Sequence, residues 1–259
     1  MIKIPILDAT NIEHCNFSCL NCAVAAPYKV AKFYQPEQYS DSIGKLSEYL
    51  RVGSLHVLGG EPFLDNNLYK FIQGLGWQRL ADKLEVITNG FWLKDNIAKA
   101  DQIMSIPGTT LSISTHPENL IAEDIVDRRN NIFYLLNKYG KDRVFIRAQE
   151  RFSAAHFTQQ EQPSKSCAYA SCVALTADAK IVRCNIIKYA KHFPNTTKQF
   201  NRESEIGLYD ITKGCEKDFI VWYNTMPRAC NFCSGTQFDQ PHLDKPDIDM
   251  LLTTGAQCL

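Results

Sequence analysis

The stretch ILDATNIEHCNFSCLNC (6–22) decides how the rest of this chain is read. Its first half, ILDATNI (6–12), is an apolar run that reads as a strand. Cys15, Cys19 and Cys22 follow at C-x3-C-x2-C spacing. A tetrahedral zinc site or a cubane iron–sulfur cluster takes four protein ligands. Three thiolates this close supply three corners of a [4Fe–4S] cluster and leave one iron open. An open metal position is where substrate chemistry takes place.

Outward from this loop the pattern is βαβ. Residues 37–51 carry Tyr39, Ile43, Leu46 and Leu50 at helical spacing, with Gly53 just beyond. LHVLGG (55–60), LEVITNG (84–90), TLSIST (110–115) and RVFIRA (143–148) read as strands. Helices are expected over 68–75, 94–104 and 118–139, the last stopped by Gly140. Five such units are too few for a closed eight-stranded barrel, so the expected fold is α/β, a partial (β/α)5-6 TIM-like barrel. Ligands of such sheets bind at the carboxyl ends of the strands. HCNFSCLNC, GGEP, TNG and STH all fall there and should converge on one mouth.

Composition narrows the class. The 259 residues carry 28 basic and 28 acidic side chains, which gives no electrostatic case for nucleic acid or an anionic membrane. The N-terminus lacks the apolar core of a signal peptide, and no run approaches the ~18 apolar residues of a spanning helix. Ten cysteines without a signal peptide suit a reducing, cytoplasmic setting, where clustered thiols bind metal more often than they form disulfides. After a polar linker, QQEQPSKS (159–166), the texture turns cysteine-rich. Two domains are expected, 1–160 and a small second one over 161–259.

Cys15, Cys19 and Cys22, then Gly59-Gly60-Glu61-Pro62, then Thr88-Asn89-Gly90, together with the strand order over residues 1–150, resemble the radical S-adenosylmethionine (SAM) superfamily. The resemblance implies a [4Fe–4S] cluster whose open iron chelates SAM, and cleavage of SAM to a 5′-deoxyadenosyl radical that abstracts hydrogen from an unactivated carbon. It implies SAM contacts from Gly59, Gly60, Glu61, Pro62, Thr88 and Asn89. Gly59 and Gly60 let backbone approach the methionine end closely, and Glu61 with the Gly60 carbonyl accepts from its ammonium group. Ser112 and Ser114 share one strand face and could reach the ribose or carboxylate, or face solvent. Arg147 resembles the basic residue that pairs with the SAM carboxylate. The family's aromatic residue before the third cysteine is replaced by Asn21, whose backbone can still meet adenine. Phe17 is a stand-in for the lost ring, or simple core.

Cys167, Cys184, Cys230 and Cys233 resemble the ligands of a twitch domain, a shortened SPASM domain holding a second, auxiliary [4Fe–4S] cluster. Cys172 rivals Cys167 for the first position, and a structural zinc site is the competing reading. Ala179 stands where that pattern has glycine. With four thiolates the auxiliary cluster has no open iron and moves electrons. Cys215 is a candidate hydrogen-atom donor and Arg151, His156 or Tyr169 a candidate base, each against a plain surface or linker role.

The resemblance leaves several chemistries open. One is oxidation or epimerisation of a small hydroxyl-rich substrate of amino-sugar or cyclitol type, with flavodoxin or ferredoxin as reductant. A second is radical modification of a peptide or protein, including glycyl-radical activation; the first strand starting near residue 6 leaves no room for the leader-binding module such enzymes often carry. A third is a non-enzymatic iron–sulfur electron carrier or scaffold, which would not need GGEP.

Overall fold

Alternation within IKIPILDAT builds β1 (Ile2–Thr10): Leu7 and Ala9 are buried in the main core, while Ile6 and Asp8 line the opposite face. The computed structural model describes residues 1–19, 22–115, 122–148, 151–155, 157, 172–233 and 236–241. β2 (Leu50–Leu58), β3 (Ala81–Thr88), β4 (Thr109–Thr115) and β5 (Val144–Ala148) follow, each parallel to the strand before it. Between them run α1 (Glu37–Leu46), α2 (Leu68–Gly74), α3 (Ile97–Met104) and α4 (Ala122–Tyr139). Their apolar faces, including Ile43, Leu46, Phe71, Ile72, Ile103 and Leu135, close the main core against the sheet.

The sheet does not end with β5. β7 (Cys172–Leu175) lies parallel to β1, and β8 (Lys180–Val182) and β9 (Tyr209–Asp210) continue antiparallel. The strand order is β5-β4-β3-β2-β1-β7-β8-β9, with six parallel strands forming the open, partial barrel expected from the sequence. A two-stranded ribbon pairs β6 (Arg151–Ala155) with β10 (Thr236–Pro241). α5 (Asn185–Lys188), α6 (Lys198–Ile206) and α7 (Glu216–Asn224) complete the C-terminal part. There a satellite core of Val182, Ile186, Ile187, Phe200 and Ala229 forms beside the main one.

Some boundaries move. The helix expected over 37–51 stops at Leu46, and Leu50 opens β2, in register with Ile2. β1 therefore starts four residues before the expected Ile6. Lys3 and Pro5 are exposed and masked the apolar alternation. No helix among the described residues is long and apolar enough to cross a membrane.

Candidate functional site

The three polar loops at the strand ends are stitched to one another. Gly60 N–H donates to Ile12 O (2.9 Å) and Glu61 N–H to His14 O (2.8 Å). A Cβ on Gly59 would stand 2.0 Å from Ile12 O, and one on Gly60 1.8 Å from His14 O. The close backbone approach read from these glycines is thus, first of all, an approach to the cysteine loop itself.

Glu61 holds the third loop. Its buried carboxylate accepts from Thr88 Oγ1 (2.6 Å), Asn89 N (2.7 Å) and Phe63 N (3.1 Å). Burial pushes its pKa up to about 7, against the pull of these donors. Thr88 Oγ1 in turn accepts from Trp92 Nε1 (2.7 Å) and Gly90 N (3.0 Å). Asn89 Nδ2 reaches Asn16 Oδ1 (2.8 Å), closing the ring of contacts back on the cysteine loop.

This ring is the rim of a cavity of about 770 Å³. Cys15, Cys19, Cys22, Gly59, Gly60, Thr88, Asn89, Ser114 and Arg147 all line it. Phe17 lines it too and packs edge-on against Phe91 at 5.6 Å. Glu61, Pro62 and Ser112 are buried and stand outside the lining. Glu61 is therefore a brace between loops in this arrangement, and its expected contact with an ammonium group is not formed by a cavity-facing carboxylate. Asn21 and Cys167 lie outside the described residues, as do His156 and Tyr169; the side chains of Arg151 and Cys172 are likewise outside them.

Burial raises the Cys15 thiol to about 12 and pushes Cys22 upward as well. Buried thiols of this kind ionise when a metal takes the thiolate. Among the described residues no three Cys, His, Asp or Glu side chains converge as ligands of a single ion. A cubane asks less convergence, because each thiolate binds its own iron. Three thiols around one cavity mouth fit that group.

The C-terminal cysteines form a separate neighbourhood. Cys184, Cys230 and Cys233 all pack against the satellite core, and none lines the cavity. Cys184 caps α5, its Sγ accepting from Ile187 N (3.4 Å). Ala179 itself carries the β7–β8 turn, at φ 58°. Cys215 is elsewhere: it is exposed and caps α7. The next residue, Glu216, pairs with the Met1 amine (3.3 Å) at the start of β1. The cysteine loop follows the other end of that strand, roughly 25 Å away. Nothing in this placement brings Cys215 to the cavity.

Sequence reasoning missed the cavity floor. Asp8, His56 and Glu85 are in register across β1, β2 and β3, buried and lining the cavity. His56 Nδ1 is 3.2 Å from Asp8 Oδ1, and His56 Nε2 is 3.9 Å from Glu85 Oε2. Arg147 pairs with Glu85 Oε1 (2.5 Å), and Asn185 Nδ2 donates to Asp8 Oδ2 (2.7 Å). The available signal was a polar residue recurring at every second position inside otherwise apolar strands.

No family model matches the chain. A GTP 3′,8-cyclase of Campylobacter jejuni subsp. doylei is 28% identical over 135 residues, 48% of this chain and 41% of that protein. One of Nautilia profundicola is 28% identical over 103 residues, 38% of this chain and 31% of that protein. The matches thus span less than half the length of these relatives. Among solved structures, BtrN in complex with AdoMet and 2-DOIA superposes with TM-score 0.53 at 13% identity, covering 93% of this chain and 96% of BtrN. That likeness is one of fold.

Proposed function

We propose that this chain is a radical SAM enzyme that reductively cleaves SAM and abstracts hydrogen from a small hydroxyl-rich substrate of amino-sugar or cyclitol type, giving oxidation or epimerisation. The observation that carries this is the convergence of Cys15, Cys19, Cys22, Gly59, Gly60, Thr88 and Asn89 on the mouth of one cavity with a polar floor. Cys15, Cys19 and Cys22 would hold a [4Fe–4S] cluster. Cluster and SAM together supply, when bound, a 5′-deoxyadenosyl radical able to take a hydrogen atom from carbon.

The protein's own part is placement. The Glu61 brace fixes the Thr88–Gly90 loop against the cysteine loop, so the mouth is preorganised. Arg147 and Ser114 reach the cavity from neighbouring strands and are placed to hold polar parts of a ligand. A cavity of about 770 Å³ suits a small molecule beside SAM. The relatives' nucleotide cyclisation does not carry over, because less than half of each protein is shared.

In the second part, residues 161–259, we place an auxiliary [4Fe–4S] cluster on Cys184, Cys230 and Cys233, with Cys167 or Cys172 as fourth ligand. The satellite core supports this by gathering three of these thiols. The division near residue 160 is then one of chemistry, since β7 to β9 belong to the main sheet. Flavodoxin or ferredoxin would deliver the electron, in a cytoplasmic setting. Anaerobic reconstitution followed by assay for 5′-deoxyadenosine under reducing conditions tests the reading. SAM cleavage is expected, and its absence from iron-loaded protein would sink it.

A further inference from the structure

The two carboxylates of the cavity floor differ in their cation contacts. Glu85 has two cations within reach, Arg147 at 2.5 Å and Lys83 at 3.9 Å. Among the described residues Asp8 has no lysine or arginine in direct ion-pair contact; His56 is its neighbour there. Asp8 is 4% exposed, and its Oδ2 takes an amide hydrogen from Asn185. Its Oδ1 is 3.2 Å from His56 Nδ1 and accepts no hydrogen bond among the described residues. The Lys188 ammonium acts on Asp8 through space while donating to Thr10 Oγ1 and Leu175 O, both at 2.9 Å, so it lends charge but no hydrogen bond to the carboxylate.

Asn185 adds a second bare acceptor. A carboxylate only accepts, so the amide must turn Nδ2 toward Asp8. Oδ1 is then left without a partner among the described residues, in a side chain 5% exposed. Ser54 Oγ, also 5% exposed, has none either. All three residues line the cavity. Orphaned buried acceptors beside a buried carboxylate cost stability unless a ligand supplies donors and positive charge. A primary ammonium does both, with three N–H donors on one cationic nitrogen.

Depth separates this seat from the rim. Asp8 and His56 each precede the paired residues Thr10 and Leu58 by two, so the seat lies roughly 7 Å below that pair and roughly 10 Å below Gly59. We propose that Asp8 and Asn185, flanked by Ser54 and His56, form a seat for the primary ammonium of the substrate, so that the site selects an amino-polyol over the corresponding polyol. This rests on the small-substrate reading above and chooses within it.

The test is binding, without turnover. Anaerobically reconstituted protein with saturating SAM is titrated calorimetrically with two probes, scyllo-inosamine and scyllo-inositol. The amine should bind at least tenfold more tightly than the inositol. Asp8→Asn should cut that preference below threefold. Asn185→Leu, which keeps the Asp8 charge and removes the Oδ1 acceptor, should cut it by a smaller factor and guards against a folding defect at Asp8. Equal binding of the two probes, or no binding of the amine, overturns the proposal. So does a tenfold loss of SAM affinity in Asp8→Asn with the probe preference intact, which would give the seat to SAM. Cleavage of SAM, assayed separately, reports on the broader reading, so the two can fail independently.

Discussion

The front and rear cysteine groups use the same ligand chemistry in opposite surroundings. Cys15, Cys19 and Cys22 sit on a loop held by backbone hydrogen bonds to Gly60 and Glu61, and they face a cavity. Cys184, Cys230 and Cys233 sit against an apolar satellite core and face no part of that cavity. A metal that must meet a ligand needs a rigid, accessible rim. One that only passes electrons is served by an apolar shell that limits solvent. The contrast predicts an open cluster in front and a closed one behind.

The strongest way to break this comparison is to remove each group separately. Replacing Cys15, Cys19 and Cys22 by alanine should lower 5′-deoxyadenosine formation by at least about 10³-fold, since no other route stabilises that step. Cys230→Ala with Cys233→Ala should leave SAM cleavage measurable. Each set should reduce iron from about eight to about four per chain, as expected for two cubanes. Iron near four in the unaltered protein would remove the rear cluster and leave a zinc site or plain thiols there.

The next largest effect concerns the stitching. In Gly60→Ala the new Cβ meets the backbone at His14 O, which cannot swing aside like a side chain. The Gly60 and Glu61 hydrogen bonds to the cysteine loop should break together, costing about 3 kcal/mol or more. Chemical denaturation and iron retention read this. A loss below about 1 kcal/mol with full iron loading would show that the loop is held by other means.

Glu61 gives the front group a pH signature. Its pKa is about 7 in the folded chain against an ordinary value of 4.5. Between these limits the folded state binds the extra proton, so stability is highest below pH 4.5 and falls as pH rises through 7. The full loss is on the order of 3 kcal/mol. Glu61→Gln cannot ionise and should flatten that slope in denaturation curves taken at pH 5 and pH 7.5. Parallel slopes for the two proteins would mean that Glu61 stays charged throughout.

Much of the front half was legible because local signals and tertiary placement agree there. Gly59-Gly60-Glu61 and Thr88-Asn89-Gly90 end parallel strands, and parallel strands bring their ends together. The role of Glu61 as a brace was not legible, since its three donors come from residues 63, 88 and 89, two of them at the end of another strand. Asp8, His56 and Glu85 were passed over for a related reason. Each sits with another polar residue two positions away in an otherwise apolar strand, and only the register places the three side by side. Cys215 was illegible in another way: a lone thiol carries no sequence signal of exposure, and the fold sets it next to Glu216, which pairs with Met1 at the start of β1.

The smallest effect lies in the rear group, at the turn leading to Cys184. Ala179 adopts φ 58°, a left-handed conformation that crowds its Cβ against the backbone. Thr176 accepts the strain around it, with Oγ1 taking a hydrogen bond from Lys180 N (3.0 Å) and the Lys180 side chain pairing with Asp178 (2.8 Å). Ala179→Gly relieves the crowding, offset in part by the greater freedom glycine has in the unfolded chain. The net expectation is a gain of about 0.5–1 kcal/mol, read as a rise in melting temperature. The turn sits between β7, which joins the main sheet, and β8, which leads to Cys184, so the gain should appear in the global transition. If the rear group instead melted as a unit of its own, an earlier, separate transition would move alone, and the front and rear regions would be energetically independent as well as chemically distinct.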